Sequence, residues 1–477
     1  MKSGGGVAAA PFDLIAEAKK LVRFNTVTRL SNADCAVWMG SLMRRLGLTV
    51  AYQESREAGE LFMNVVGLQG EGKEPLLLTT HLDTVDAGNP KLWTKTSADP
   101  WRLTLHGQTL YGLGCADTKL DLLCKLMAFA RCKPNRWKRS LVFLGTFGEE
   151  SGLRGAARFC QGDLPRPGMA LVGEPTDLSL VTRHKGFMVI ELIFRSKGLF
   201  RPEQKGWVYT ATFQGQASHS STPALGINAL DRSRSFLQDL AKRYGKVIAL
   251  EWEGGQGHNV IPASSRLRFS LGPRAKVSLR SSSSQKVQVQ PLAPGWYSTL
   301  PWEEAMTSIE TLASVLSPHQ KNQDKAFDPS GLTWNLTQMI HEKEGWILRF
   351  DLRPLPGQSL HRAVQTFEQK LWKQLGHPGA PWQFRLERDN PALELKEKSP
   401  LIREAKAAFR AAHIPFRLAA KAGCSEAGLY QRVGIPSAVF GPGRSVGNIH
   451  RPNESVSIPQ LKSAIRFYEN FLERVCC

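Results

Sequence analysis

No apolar run in this chain approaches the ~18 residues that a membrane span needs. The best windows, 76–80 and 140–147, have the length of strands. The amino terminus carries one Lys ahead of a short apolar stretch, which is not the pattern of a secretion signal, and a cytoplasmic protein with no membrane partner is expected. Eight cysteines (35, 115, 124, 132, 160, 424, 476 and 477) never take a C-x-x-C spacing. A disulfide scaffold and a thiolate zinc site are therefore both excluded. Acidic residues are the scarcer charge: 42 Asp and Glu stand against 62 Lys and Arg, a net +20. The basic residues spread over many amphipathic helices, with no RNP-like, zinc-finger or helix-turn-helix pattern. A solvated basic surface is the expectation, and nucleic acid is not an expected partner.

What is present is an ordinary globular composition, 42% hydrophobic over 477 residues, enough for two or three domains. Phe12, Ile15, Ala18, Leu21 and Val22 recur at helical spacing, and a second helix is expected over 35–46. Runs 75–80, 140–147 and 169–173 then read as buried strands, with a helix over 120–132 between the first two. Strands alternating with helices predict a mostly parallel sheet covered on both faces. After about residue 185 the pattern becomes antiparallel: strands at 186–196, 207–214, 246–252 and 264–271, with an amphipathic helix over 228–243. The stretch 273–345 differs in texture, and its segments 280–284 and 291–301 read as exposed loop. A strand at 346–352, a helix at 359–375 and a strand at 382–387 complete this part. Beyond 391 the first texture returns, with helices at 400–412 and 458–475 around a strand at 436–440. The fold expected is α/β with an inserted α+β domain: 1–185 and 391–477 form one domain, and 186–390 the insert, including the extra 273–345 segment.

Open α/β sheets hold ligands at the carboxyl ends of their strands. The first run leads into His81-Leu82-Asp83, the second into Gly148-Glu149-Glu150, the third into Glu174. Asp117 follows Gly112-Leu113-Gly114, and His450 follows Gly441-Pro442-Gly443. Two imidazoles and several carboxylates, with no thiolate, suit Zn²⁺, Mn²⁺ or Co²⁺. Taken singly each is ordinary, and Asp117 alone would read as a helix cap. Five such residues at successive strand ends form the pattern of a metal site.

The motifs resemble those of the co-catalytic zinc amidohydrolases that include acetylornithine deacetylase, succinyl-diaminopimelate desuccinylase, aminoacylase, carboxypeptidase G and carnosinase-type dipeptidases. The matching segments are Thr80-His81-Leu82-Asp83-Thr84-Val85, Gly112-Leu113-Gly114-Cys115-Ala116-Asp117 and Gly148-Glu149-Glu150-Ser151-Gly152. Gly173-Glu174-Pro175-Thr176, Ala217-Ser218-His219, Asn259-Val260-Ile261-Pro262, Asp351-Leu352-Arg353 and His450-Arg451-Pro452-Asn453-Glu454 follow in the family's order. The resemblance implies a zinc-exopeptidase-like catalytic domain with an inserted lid. It implies two divalent ions, Zn with Co or Mn as alternatives, one held by His81 and Glu174, the other by Glu150 and His450, with Asp117 bridging. Asp83 would orient His81, Glu149 would be the general base for a metal-bound water, and a cis peptide would follow Asp117. From the lid, His219 would donate to the oxyanion, while Asn259 and Arg353 would bind substrate carboxylate.

The implied activity is metal-dependent hydrolysis of the amide bond of a small carboxylate-bearing N-acyl amino acid. Ala422-Gly423-Cys424-Ser425-Glu426-Ala427-Gly428 is similar to a segment of acetylornithine deacetylases and favours deacylation over the alternative, a dipeptidase or carboxypeptidase. A catalytically silent binding protein is the reading from a different class, and the intact donor set with Glu149 speaks against it. The chain departs from the family at Leu113 (usually Arg), Thr118-Lys119-Leu120 (Met-Lys-Gly) and Gly148 (Asp). Segment 197–207 also looks enlarged. Either a homodimer or a monomer whose enlarged lid replaces the partner is implied.

Overall fold

A computed structural model describes residues 12–72, 74–132, 137–195, 199–200, 207–271, 279, 282, 284–291, 297–342, 345–376 and 382–477. The chain divides into two compact units, Met1–His184 with Asn390–Cys477, and Lys185–Asp389.

The first unit is built on three strands that are buried at every position: Leu76–His81, Leu141–Thr146 and Met169–Gly173. They run parallel, with Leu76–His81 between the other two, and Ser437–Val439 extends the parallel set beside Met169–Gly173. Successive side chains go to opposite faces. Leu76, Leu78, Leu141 and Phe143 join one core with the helices Lys119–Arg131 and Ile458–Cys476, while Leu77, Val142 and Leu144 join another with Phe159 and Tyr430. Strands covered on both faces must be apolar throughout, and for that reason they stand out as uninterrupted runs. The flanks are antiparallel. A hairpin of Thr49–Glu57 and Glu60–Gln69 pairs with Leu141–Thr146 on one side, and Leu180–His184 pairs with Ser437–Val439 on the other. The sheet is therefore mixed, with its parallel part at the centre.

In the second unit Phe187–Phe194, Gly345–Arg353, Thr333–Glu342, Ile248–Gly254, Ser264–Ser270, Trp207–Gln214 and Gln285–Pro291 pair antiparallel in that order. Helices Ala229–Tyr244, Trp302–Gln320 and His361–Leu375 pack on the face that carries Met188, Ile190, Leu348 and Phe350. The stretch 273–345 is more regular than its texture suggests, because it contains the Gln285–Pro291 strand, the Trp302–Gln320 helix and the Thr333–Glu342 strand. Residues 280, 281, 283 and 292–296 of the two expected loops lie outside the described residues, as do most of 197–207 and all of 1–11. Among the described residues no helix is long and apolar enough to cross a membrane.

Beneath the centre of the first sheet lies a sealed ion pair. Asp121 and Lys125, one turn apart on the Lys119–Arg131 helix, are 2.7 Å apart and almost wholly buried. Lys125 also donates to the Thr79 carbonyl at 2.6 Å and to the Thr80 hydroxyl at 2.8 Å, and the Tyr468 hydroxyl donates to Asp121 at 2.6 Å. Helix, central strand and carboxyl-terminal helix are thus tied by one satisfied network. Removing one member strands the other charge in a low-dielectric interior, which costs about 3–5 kcal/mol. Lys125→Met or Asp121→Ala is expected to lower the unfolding free energy by that amount in urea titrations. A loss below about 1 kcal/mol from either change would show that the pair is dispensable to this architecture.

Candidate metal centre

Parallel strands deliver their carboxyl ends to one edge of a sheet, and here that edge gathers the acidic and imidazole side chains. His81 closes its strand, Glu174 immediately follows Met169–Gly173, and Glu149 and Glu150 lie in the turn after Leu141–Thr146. Asp117 precedes the Lys119–Arg131 helix, and its peptide bond to Thr118 is cis. His450 comes from the loop beyond Ser437–Val439, with φ of 58°.

Asp117 sits between the two histidines, with Oδ1 3.3 Å from His81 Nε2 and Oδ2 3.0 Å from His450 Nε2. His450 Nε2 is also 3.0 Å from Glu150 Oε1. Asp117, Glu150 and His450 place one potential ligand atom each within 4.8 Å of one another, and so do His81, Glu149 and Glu150. Glu150 belongs to both groups. Glu149, which the resemblance makes a base, stands among potential donors as well. Glu174 is buried at the same edge and is electrostatically coupled to Asp117 and His81, yet its Oε2 is held by Lys421 Nζ at 2.9 Å.

The surroundings fix these groups firmly. The His81 Nδ1–H points at the backbone carbonyl of Asp83, 3.0 Å away, which leaves Nε2 free to face Asp117. The Asp83 carboxylate is 3.6 Å from the same nitrogen. Its two oxygens accept the Glu149 and Glu150 N–H groups at 3.0 and 3.1 Å, so one buried residue orients both the histidine and the glutamate turn. Glu454, sealed from solvent, accepts from the Ala116 and Asp117 N–H groups at 2.8 and 3.0 Å. Burial, with the charge of Asp117, pushes Glu454 up to about 7. Glu426 is also buried, near the Thr79 hydroxyl and Tyr430, and burial pushes it to about 7. Lys421 escaped the sequence reading altogether, and Glu426 and Glu454 entered it only as motif letters. The available signals were the place of Glu454, four residues past His450, and that of Glu426 in the deacetylase-like segment 422–428.

Proton affinities record the crowding. The charge of Glu150 drives His450 up to about 12 against the cost of burial, helped by hydrogen bonds to Asp117 and Glu150. Burial alone would lower His81, but the bond to Asp117 and the charges of Glu149, Asp117 and Asp83 carry it well above its usual value. For Asp117 burial is outweighed by the two histidines, and its carboxyl is held below the usual range. Burial and the neighbouring Glu150 push Glu149 well up, and burial raises Glu174 against the restraint of Lys421. Hard oxygens and imidazoles competing for shared protons form a donor set that fits a divalent cation such as Zn²⁺.

The three candidates in the second unit converge around Ser220. Ser220 N–H donates to the Asn259 carbonyl at 2.9 Å, and His219 bridges to Val260. The Ser221 N–H donates to His219 Nδ1 at 3.1 Å, so a neutral ring carries its proton on Nε2. Arg353 is only 2% exposed: its Nε and Nη2 bind the two Asp351 oxygens at 2.8 Å, Nη2 reaches the Ser220 hydroxyl at 3.2 Å, and the guanidinium stacks on Phe187. The arginine expected to clamp substrate therefore has two of its three nitrogens committed within its own unit.

A family model described as peptidase family M20/M25/M40 matches residues 77–474. An acetylornithine deacetylase of Buchnera aphidicola subsp. Schizaphis graminum (strain Sg) is 31% identical over 238 residues, covering 45% of this chain and 55% of that protein. The chain thus aligns with about half the length of this curated relative. Among solved structures, aminoacylhistidine dipeptidase from Vibrio alginolyticus superposes with a TM-score of 0.63 at 15% identity, covering 96% of each chain. An M20 family metallo-carboxypeptidase from Sulfolobus solfataricus gives 0.59 at 13% identity, covering 97% of this chain and 99% of the other. At such identities the structural likeness is one of fold.

The raised histidines set a pH dependence for metal binding. In the metal-free protein His81 and His450 both bind a proton more tightly than an ordinary imidazole, and an imidazole must lose its proton before it can ligate. Zn²⁺ binding at pH 7 is expected to release protons, and affinity should fall as pH is lowered. Calorimetry in buffers of different ionisation enthalpy measures the release. A binding enthalpy that does not vary with buffer would contradict it.

Proposed function

The chain belongs to peptidase family M20/M25/M40, and we propose that it hydrolyses the amide bond of a small carboxylate-bearing N-acyl amino acid, as an acetylornithine deacetylase does. The observation that carries this reading is the Asp117 carboxylate shared by His81 and His450, with Glu149 and Glu150 beside it. The family is metal-dependent, and His81, Asp117, Glu150, Glu174 and His450 are the side chains that would hold its ions. When bound, such ions supply Lewis-acid polarisation of the scissile carbonyl and activation of water.

In this proposal the chain's own groups do the rest. Glu149 is a buried carboxyl whose proton affinity is raised by burial and by Glu150, the condition of a group that takes a proton from the attacking water and returns it to the leaving amine. Asp83 keeps Glu149 in place through its backbone N–H. His219, with its proton on Nε2, is suited to donate to the developing oxyanion. Asn259 and Arg353 serve the substrate carboxylate, Arg353 through the nitrogen it does not spend on Asp351 and Ser220, in the planar manner that suits guanidinium. A dipeptidase would ask the same chemistry of the same residues. Deacylation is preferred because the 31% identical relative is a deacetylase.

The test is a panel of N-acetyl amino acids, N-succinyl amino acids and dipeptides, assayed after reconstitution with Zn²⁺, Co²⁺ or Mn²⁺. N-acetyl substrates are expected to be the best, and dipeptides turned over faster would replace the deacylase reading. Glu149→Gln should lower kcat by roughly 10²–10⁴-fold while metal content stays the same. Parallel loss of metal and activity would make Glu149 a ligand instead of a base.

A further inference from the structure

Lys421 ends a short strand, Leu418–Lys421, that pairs in parallel with Leu180–His184. Its ammonium lies 2.9 Å from Glu174 Oε2, and its charge is also felt by Asp117 and Glu149. Glu174 is only 4% exposed while the Lys421 side chain is 21% exposed, so water screens the pair from the lysine side only. Neither group of mutually close metal donors includes Glu174, whereas both include Glu150. The cage of carboxylates thus contains a fixed positive charge of its own, bound to one of the oxygens that the family reading gives to a metal.

We propose that Lys421 acts as a resident cation of this cage and makes its two metal positions unequal. The position served by Asp117, Glu150 and His450 fills tightly. The position that depends on Glu174 fills weakly, because Lys421 occupies one Glu174 oxygen and sets a like charge beside the incoming ion. The inference rests on the metallohydrolase reading and concerns ion occupancy, not turnover.

The experiment is metal stoichiometry after equilibrium dialysis at fixed free Zn²⁺, together with competition against a chelator, on the full chain. The unmodified protein is expected to hold one ion tightly and a second at least ~100-fold more weakly. Lys421→Met, which keeps length and removes charge, should tighten the second ion tenfold or more and leave the first unchanged, while Lys421→Arg should preserve the gap. Two equally tight ions in the unmodified protein, or a gap that Lys421→Met does not narrow, would overturn the proposal. Should Lys421→Met fail to fold, Glu174→Gln replaces it: the tight ion must survive that change within about threefold, and its loss would equally overturn the assignment. Failure of the unmodified protein to bind any divalent ion would instead defeat the hydrolase reading beneath it.

Discussion

Five carboxylates, those of Asp83, Asp117, Glu149, Glu150 and Glu174, are crowded at one edge of a buried sheet, and this density of negative charge can exist only if positive charge answers it. In a low-dielectric pocket like charges repel strongly and unpaired ones are expensive. The structure answers with the imidazoles of His81 and His450, with Lys421, and with backbone N–H groups aimed at Asp83 and Glu454. Each of those answers comes from a different part of the chain. The parallel centre of the sheet makes that possible, because it sends the ends of successive strands to the same edge whatever lies between them in sequence.

The same constraint explains what could be read from the sequence. Strands that must be apolar on both faces are conspicuous, and the residues directly after them are where ligands gather. Leu76–His81, Leu141–Thr146 and Met169–Gly173, with His81, Glu149, Glu150 and Glu174 at their ends, were therefore legible. The Thr49–Glu57 strand was not, because it lies on the sheet edge, no residue in it is fully buried, and its charged positions mimic a loop. The Trp302–Gln320 helix was hidden by its polar surroundings and by Pro318 near its end. Arg353 was expected to face a substrate carboxylate, but on Gly345–Arg353 alternate residues face away from the helices, and there Asp351 and Phe187 hold the guanidinium. No local pattern could pair Lys421 with Glu174, 247 positions apart.

The departures from the family motifs sort by what each side chain touches. Leu113, where Arg is usual, is buried in an apolar cluster with Trp93 and Ala87. Within Thr118-Lys119-Leu120 the lysine is common to the family motif, and its ammonium donates to the Phe24 carbonyl at 2.9 Å. Gly148 is the more telling case. Its φ is +64°, a conformation that strains any other residue, and a Cβ there would lie 2.5 Å from Arg154 Nε, so the Asp of other members would have to displace that side chain. Arg154 fills that space instead. It stacks 4.4 Å over Phe62, donates to the Thr28 carbonyl at 2.9 Å and pairs with Glu57, all from the first turn of the helix that follows Glu149 and Glu150. An acidic side chain at 148 would have added a further carboxylate to a cage already short of cations. Glycine removes it, and the arginine anchors the turn from outside. Where the family motif has an acid next to the Glu149–Glu150 turn, this chain has a glycine, and the side chain packed against it is a cation.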